Sequence, residues 1–219
     1  MTGSPLLEGL DPADVRAVLA AATTRRFRAH VNIYDQSRPA SSIFLLSTGR
    51  ARYCYTTPDG RRMLLHWLVP GDVLGMASIV RGPTVYRVCA ETVRESSVLV
   101  WDRHVMLALI DQYPRLLHNA LLISVGYLDL YIAAHTALVS HTAKQRLASV
   151  LVHLTNAIGS EVPGGVELQV TNEELASAAN ITLFTASRIM SAWQAEHALT
   201  KRRGRIILHS PKRLLRLTA

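Results

Sequence analysis

The stretch "TNEELASAANITLFTASRIM", residues 171–190, contains two helix beginnings in close succession. Thr171 is followed three residues later by Glu174, a capping box in which hydroxyl and carboxylate each take a backbone amide that the first helical turn leaves open. The spacing predicts a helix over 172–179. Ala179-Asn180-Ile181 reads as a turn, and Thr182 can cap a second helix running to about Ala195. Leu175, Ala176, Ile181, Ile189 and Trp193 then fall on facing sides of two helices joined by a tight turn, the helix-turn-helix arrangement.

The outward side of the second helix carries Thr182, Thr185, Ser187 and Arg188, with Leu183 and Phe184 at its start. In a helix-turn-helix this helix enters the major groove N-terminus first. Short hydroxyls suit phosphate oxygens or a base edge, an arginine can fork onto guanine, and Phe184 can pack on a thymine methyl. Capping and surface filling alone would also explain the Thr and Ser residues, so the flanking sequence has to decide. Lys201 through Leu208, folded at Arg203-Gly204, reads as a two-stranded wing. It brings Lys201, Arg202, Arg203 and Arg205 beside the helix. The chain has 219 residues and a net charge of +8, and residues 144–219 carry 10 Lys/Arg against 5 Asp/Glu, with no acid after Glu196. A basic stripe of this kind favours a polyanion. The residues expected to contact duplex DNA are Thr171, Thr182, Leu183, Phe184, Thr185, Ser187, Arg188, Lys201, Arg202 and Arg203.

Upstream, "ALLISVGYLDLYIAAHTALV", residues 120–139, is long enough for a bilayer-crossing helix, but Asp129 and His135 would be costly in lipid. Leu116, Ala120, Ile123, Tyr127, Leu130, Ala134 and Ala137 recur at spacings of four and three, a heptad seam. A second row, Leu117, Leu121, Leu128, Tyr131 and Leu138, lies beside it. One row can pack on the helix's own domain and the other on a twin helix. The first is assigned to the dimer interface, with no membrane partner. His141-Thr142 interrupts the seam, and Ala143 to Ala157 resumes as a separate amphipathic helix. Residues 159–165, "GSEVPGG", read as a loop and 166–170 as a strand.

Nearer the start, Asp11, Pro12 and Asp14 predict a helix from Val15 to Ala22. The period then changes to short β-branched and aromatic runs, punctuated at Thr48-Gly49, Pro58-Asp59-Gly60 and Pro70-Gly71-Asp72, with "RVCAET" and "SSVLVW" adding two more strands. About eight antiparallel strands at this spacing imply a jelly roll. The expected fold is α+β: a jelly-roll sensor domain over 1–110, a dimerisation helix over 111–140, and a winged helix-turn-helix over 141–219.

Cys54 and Cys89 are too few for a four-cysteine cluster or zinc site, fit a reducing cytosol, and read as buried apolar residues. The acidic start, Glu8, Asp11 and Asp14, is unlike a secretory signal, so a cytoplasmic location is expected. No GxSxG elbow, HExxH helix or Walker loop is present. Glu173-Glu174 is explained by a helix first turn and Asp72 by a glycine turn. An enzyme is not expected.

With jelly roll, long helix and winged domain placed in order, the chain resembles the Crp-Fnr superfamily of bacterial transcription regulators over nearly its whole length. The residues carrying the resemblance are "PGDVLG" at 70–75, "AKQRLASVLVHL" at 143–154 and the opening stretch at 171–190. The resemblance implies a cyclic-nucleotide-binding-like roll whose effector re-sets the dimer helices, a palindromic operator, and RNA polymerase as a partner. It places the effector near Gly71, Asp72, Gly75, Met76, Thr84, Val85, Arg87 and Tyr127. Members that bind cyclic AMP have a Glu after the second glycine and an Arg-Ser pair before the next strand. Here Met76 and Thr84-Val85 stand at those positions, and methionine and valine offer a phosphate neither donor nor cation. Cyclic AMP is therefore not the expected effector, although Arg81 or Arg87 could serve another anion. The iron-sulfur branch needs four cysteines. Leu183 and Phe184 replace an Arg and a Glu of cyclic-AMP regulators, while the later Arg is kept as Arg188. "TLFTASR" at 182–188 is similar to the nitric-oxide-responsive branch, whose members often use haem. His66 is the histidine to test as an iron ligand, against the plainer reading of a packed core residue. The competing reading from another class is a small-ligand sensor whose winged domain binds protein or RNA.

Overall fold

A computed structural model describes residues 3–202 and 204–216, and Arg203, assigned above to the DNA-contacting wing, lies outside the described residues. The chain divides into two compact units, residues 1–130 and 131–219.

The first unit is a roll of eight strands, β1 (Thr23–Phe27), β2 (Asn32–Tyr34), β3 (Ser42–Thr48), β4 (Ala51–Thr56), β5 (Arg62–Leu68), β6 (Val73–Leu74), β7 (Cys89–Thr92) and β8 (Ser96–Asp102). They form two antiparallel four-stranded sheets, ordered β1-β8-β3-β6 and β2-β7-β4-β5. Between the sheets lies one core, with Phe44, Leu46, Tyr53, Leu68, Leu74, Ala90, Val98 and Val100. The alternation of strand side chains decides this: Ala51 and Tyr53 point inward, while Arg52 and Cys54 point outward on the same strand. A second core on the back of the first sheet joins Ile43, Leu45 and Trp101 to three helices, α1 (Pro12–Ala20), α2 (Arg103–Gln112) and the start of α3 (Arg115–Ser140). Trp101 Nε1 donates to Val18 O at 2.8 Å, tying α1 to β8.

Helix α1 starts at Pro12 and ends at Ala20, earlier at both ends than the range Val15 to Ala22, because the proline's fixed φ suits the first helical position. Asp11 occupies the N-cap position without a side-chain cap hydrogen bond. The long helix expected over 111–140 is split. Residues 111 and 112 close α2, and the break falls at Tyr113-Pro114, where proline has no donor and restricts the residue before it. Helix α3 has the length and hydropathy of a bilayer-crossing segment. Its first turns are nevertheless fastened to the roll: Leu116 and Ala120 are buried, and Asn119 Nδ2 donates to Leu6 O at 2.9 Å and Glu8 O at 2.8 Å.

The second unit begins within α3. Thr142 and Gln145 form a capping box that opens α4 (Ala143–Ile158). Helices α5 (Asn172–Ala178) and α6 (Leu183–Ala195) follow, then α7 (Pro211–Arg216). Four strands, β9 (Ser160–Val162), β10 (Gly165–Leu168), β11 (Leu199–Arg202) and β12 (Arg205–Leu208), make a sheet ordered β11-β12-β10-β9. The segment 159–165, read from sequence as a loop, thus contains β9, which hydrogen-bonds to β10 through Val162↔Gly165 and Glu161↔Val166. Its three residues are mostly exposed and have no alternation to read, so only the neighbouring strand makes it β. Leu147, Leu151, Leu154, Leu175, Met190, Trp193 and Leu208 are fully buried here.

Candidate nucleic-acid interface and effector cavity

The helix-turn-helix is built by local chemistry first. Thr171 Oγ1 accepts the Glu174 amide at 3.2 Å, and Glu174 Oε2 accepts the Thr171 amide at 2.8 Å. Thr182 Oγ1 accepts the Thr185 amide at 3.1 Å, starting α6. Between them Asn180 sits at φ +49°, a left-handed conformation that asparagine tolerates better than most residues. Leu175 and Ala176 on α5 and Ala186, Ile189, Met190 and Trp193 on α6 are buried, so α6 is fixed along one side. The other side is left in water: Thr182 and Arg188 are exposed, Leu183 is 51% exposed and Phe184 77%.

The hydroxyls play a more internal part than their sequence positions suggest. Thr182 and Thr185 hydrogen-bond each other at 2.9 Å, and Ser187 Oγ accepts from Asn172 Nδ2 at 3.3 Å. Thr171 is spent on its capping box. Each of these side chains shapes the turn, and the groups pointing freely outward from the first half of α6 are Leu183, Phe184 and Arg188. In the wing, Arg202 pairs with Arg205 across β11 and β12, and Gly204 at φ +67° makes the reversal between them. Arg202 is exposed, Lys201 Nζ donates to Ser191 Oγ on α6 at 3.2 Å, and Arg205 Nη1 lies 3.5 Å from Glu167 Oε1. Lys201 therefore brings a cation onto α6 itself, whereas Arg205 is partly neutralised.

One positioning residue was missed in the sequence. Arg146 on α4 donates from Nε to Ala179 O at 2.9 Å, from Nη2 to Asn180 O at 3.4 Å and from Nη1 to His141 O at 2.7 Å. It holds the turn between α5 and α6 against the end of α3. Its one visible signal was an arginine in the amphipathic segment "AKQRLASVLVHL", where a long cation reads as ordinary surface.

In the roll, the residues expected around an effector separate into two groups. Gly71, Asp72 and Tyr127 line a cavity of about 330 Å³ together with Glu8, His66, Val73, Asn119, Ile123 and Leu130. That volume is at the lower end for small-molecule sites. Tyr127 Oη donates to Val73 O at 3.4 Å, and its ring meets His66 edge-on at 5.6 Å. Burial raises the Asp72 carboxyl above its ordinary value, partly countered by the Val69 amide, which donates to Oδ2 at 2.8 Å.

Gly75, Met76, Thr84, Val85 and Arg87 do not join this cavity. The Gly75 amide donates to Tyr34 Oη at 3.1 Å, and a Cβ at Gly75 would meet Phe44 and Tyr86 ring atoms at 3.2 and 3.3 Å. Tyr34 stacks on Tyr86 at 4.0 Å and on Phe44 at 5.4 Å. Tyr86 Oη donates to Ser42 O at 2.8 Å. The space beside the Gly75 turn is filled by the protein's own aromatic rings. Met76 packs against the helical core, Thr84 O accepts from the Ala40 amide at 3.0 Å, Val85 bridges to Pro39, and Arg87 points to solvent. Arg81, the other candidate for an anion, is paired with Asp111. For a haem, the cavity wall supplies the His66 imidazole and no second histidine, cysteine or methionine.

The heptad seam assigned to the dimer interface is corrected in the same region. Leu116 and Ala120 are 0% and 2% exposed in the helical core, Ile123 packs against it, and Tyr127 and Leu130 line the cavity. Leu116, Ala120 and Ile123 thus face their own roll, whereas Ala134 is exposed and Ala137 half-buried. The row left in solvent is Leu121 (59% exposed), Val125 (53%), Leu128 (57%) and Ile132 (55%).

The sequence matches known domains in the same order. Residues 24–113 match the cyclic nucleotide-binding domain and residues 145–217 the Crp-like helix-turn-helix domain. The nitrogen fixation regulation protein FixK of Azorhizobium caulinodans is 27% identical over 95% of this chain and 80% of its own length. The cyclic AMP receptor protein of Thermus thermophilus is 27% identical over 90% of this chain and 88% of its own. Among solved structures, FixK2 of Bradyrhizobium japonicum superposes with a TM-score of 0.78 at 25% identity, over 90% of this chain and 98% of that one. The chain belongs to the Crp-Fnr family and is a DNA-binding transcription regulator of that type.

Proposed function

We propose that the protein is a cytoplasmic, effector-responsive homodimer that reads a two-fold symmetric operator through α6 of each copy and acts by binding, with RNA polymerase as its downstream partner. The carrying observation is the solvent-facing start of α6, where Leu183, Phe184 and Arg188 stand free of the core while the opposite side of the helix is buried. Arg188 is suited to the acceptor pair on a guanine, and the two apolar side chains to a thymine methyl. Lys201 and Arg202 would hold phosphates beside the groove.

Dimerisation is assigned to the row Leu121, Val125, Leu128 and Ile132, whose four-three-four spacing suits a parallel twin helix. With Leu116, Asn119 and Ala120 already committed to the roll, this use of α3 is favoured over a membrane span. The effector is assigned to the cavity of His66, Asp72 and Tyr127, as a compact molecule with hydrogen-bonding groups. A ligand there would touch the inner side of the helix whose outer side meets the twin, which couples occupancy to dimer geometry.

The test is fluorescence anisotropy of the purified protein with labelled duplexes at two salt concentrations. Binding should weaken steeply as salt rises, and a symmetric site with half-sites about 34 Å apart should bind more tightly than random duplex. Absence of any affinity for duplex at low salt would overturn the proposal in favour of a protein or RNA partner.

A further inference from the structure

Cys54 and Cys89 are buried, as expected of apolar residues, but they do not lie in either core of the roll. They are direct partners on neighbouring antiparallel strands, Cys54 on β4 and Cys89 on β7, on the outer face of the second sheet. Opposed antiparallel residues have Cα atoms about 4.5 or 5.5 Å apart, and both separations fall within the range that a disulfide spans. The pair is covered from the solvent side by charged side chains. Arg62, on β5, reaches across β4 so that Nη2 lies 3.4 Å from Cys89 Sγ, 2.8 Å from Glu91 Oε2 and 3.3 Å from Asn32 Oδ1. Arg52 lies beside it, with Nε 3.0 Å from Glu91 Oε2. The Arg62 side chain is 43% exposed, so the group standing over the sulfur is itself at the surface and can swing away without disturbing a core.

We infer that Cys89 and Cys54 form a redox-active dithiol on the outside of the roll, with Cys89 as the nucleophile, Cys54 as the resolving thiol, and Arg62 as the cation that holds Cys89 as thiolate. The inference is independent of the reading of DNA. A guanidinium against one sulfur and a second thiol within bonding reach are two features of an oxidisable cysteine; the third is access, and with Cys54 2% and Cys89 5% exposed it requires Arg62 to move aside. The electrostatics agree in direction: the hydrogen bond from the Cys54 thiol, and then Arg62, lower the Cys89 thiol, while the same hydrogen bond and burial raise Cys54. One sulfur is thus set to be the anion and the other to keep its proton until it is needed.

The reactant is a hydroperoxide. The Cys89 thiolate attacks the peroxide's outer oxygen, the O–O bond breaks, and the leaving alkoxide takes a proton to become an alcohol, leaving Cys89 as sulfenic acid. The Cys54 sulfur then attacks the Cys89 sulfur, losing its proton, and the hydroxyl departs as water. Two thiols and one hydroperoxide give one disulfide, one alcohol and one water, a two-electron oxidation of the protein and reduction of the peroxide.

The experiment treats the purified full-length protein, reduced beforehand, with hydrogen peroxide, and counts thiols by alkylation and intact mass. Both thiols of a chain should vanish together, without linking chains, and return with dithiothreitol. Cys54→Ser should accumulate a sulfenic acid that a cyclic diketone traps on Cys89, and Cys89→Ser should leave Cys54 unreacted. Arg62→Gln should slow thiol loss about tenfold, reflecting a smaller thiolate fraction. The inference is overturned if the wild-type protein keeps both thiols under peroxide that consumes free glutathione completely, if the only disulfides are between chains, or if Cys89→Ser reacts at the wild-type rate. The wild-type measurement decides the matter even if a variant does not fold.

Discussion

Helices α3 and α6 both leave large apolar side chains in water, but in different company. On α3 four of them, Leu121, Val125, Leu128 and Ile132, form a continuous row at coiled-coil spacing, flanked by the also exposed Leu117, Leu122, Leu138 and Val139. On α6 they are two, Leu183 and Phe184, next to the Thr182 cap and one turn before Arg188, with Lys201 hydrogen-bonded onto the same helix. A long uncharged row is complementary to another copy of itself, because each side chain finds a hole of its own kind. A pair of apolar groups in a cationic frame is complementary to a groove that is anionic at its rim and has methyl groups on its floor. Exposed hydrophobicity alone does not name a partner; the residues around it do.

The largest effect expected of breaking this contrast is on α3. Leu128→Glu, at an exposed position, should leave the roll folded and convert the dimer to monomers in sedimentation velocity, with operator affinity falling about a hundredfold or more as the two half-sites lose their linkage. Leu116→Ala, on the adjoining inward side of the same helix, should do the reverse: a loss of about 2–5 kcal/mol in chemical denaturation with the dimer retained at concentrations where the protein stays folded. If Leu116→Ala produced folded monomers and Leu128→Glu did not, the assignment of the two rows would be inverted.

A smaller effect is expected on α6. Arg188→Ala should cost about 1–3 kcal/mol against a true operator and relax preference at one base pair, with thermal stability unchanged because the residue is exposed. Competition titrations with single-base operator variants would read this. A uniform loss across all sequences would make Arg188 a phosphate contact.

The smallest effect is at Asp72. Its folded value is raised by burial, so the native state binds more protons than the unfolded chain as pH rises from the ordinary value of 3.8 toward the raised one. Stability from this group is therefore present below 3.8 and is lost through that window. Asp72→Asn should flatten the decline in denaturation midpoint with pH, which a pH series of urea melts would detect. A slope unchanged by the substitution would show that the carboxylate is already stabilised by its surroundings.

Much of the winged unit was readable because its signals are local. The Thr171-Glu174 box and the Thr182 cap each act within four residues, and they start α5 and α6 where the sequence said they would. Strand β9 was not readable, since its pairing partner and not its own pattern makes it a strand. Arg146 was invisible for a related reason: its three carbonyl partners lie five to thirty-four residues away. In the roll, the turn at Gly71-Asp72 was found as a cavity wall, but the stretch from Gly75 to Arg87 was assigned to the same site although the stack of Tyr34, Tyr86 and Phe44 fills the space there.

The sequence by itself determined that α3 is a long helix apolar on two adjoining sides, that a capped helix pair and wing follow it, and that two cysteines exist. It could not say which side of α3 is inward, because Leu116 and Leu121 are chemically the same and helical periodicity places both rows equally well. The tertiary structure decided by bringing Leu6, Trp101 and Met106 against Leu116 and Ala120. It likewise set Cys54 opposite Cys89 beneath Arg62, since strand register joins residues that the chain keeps far apart.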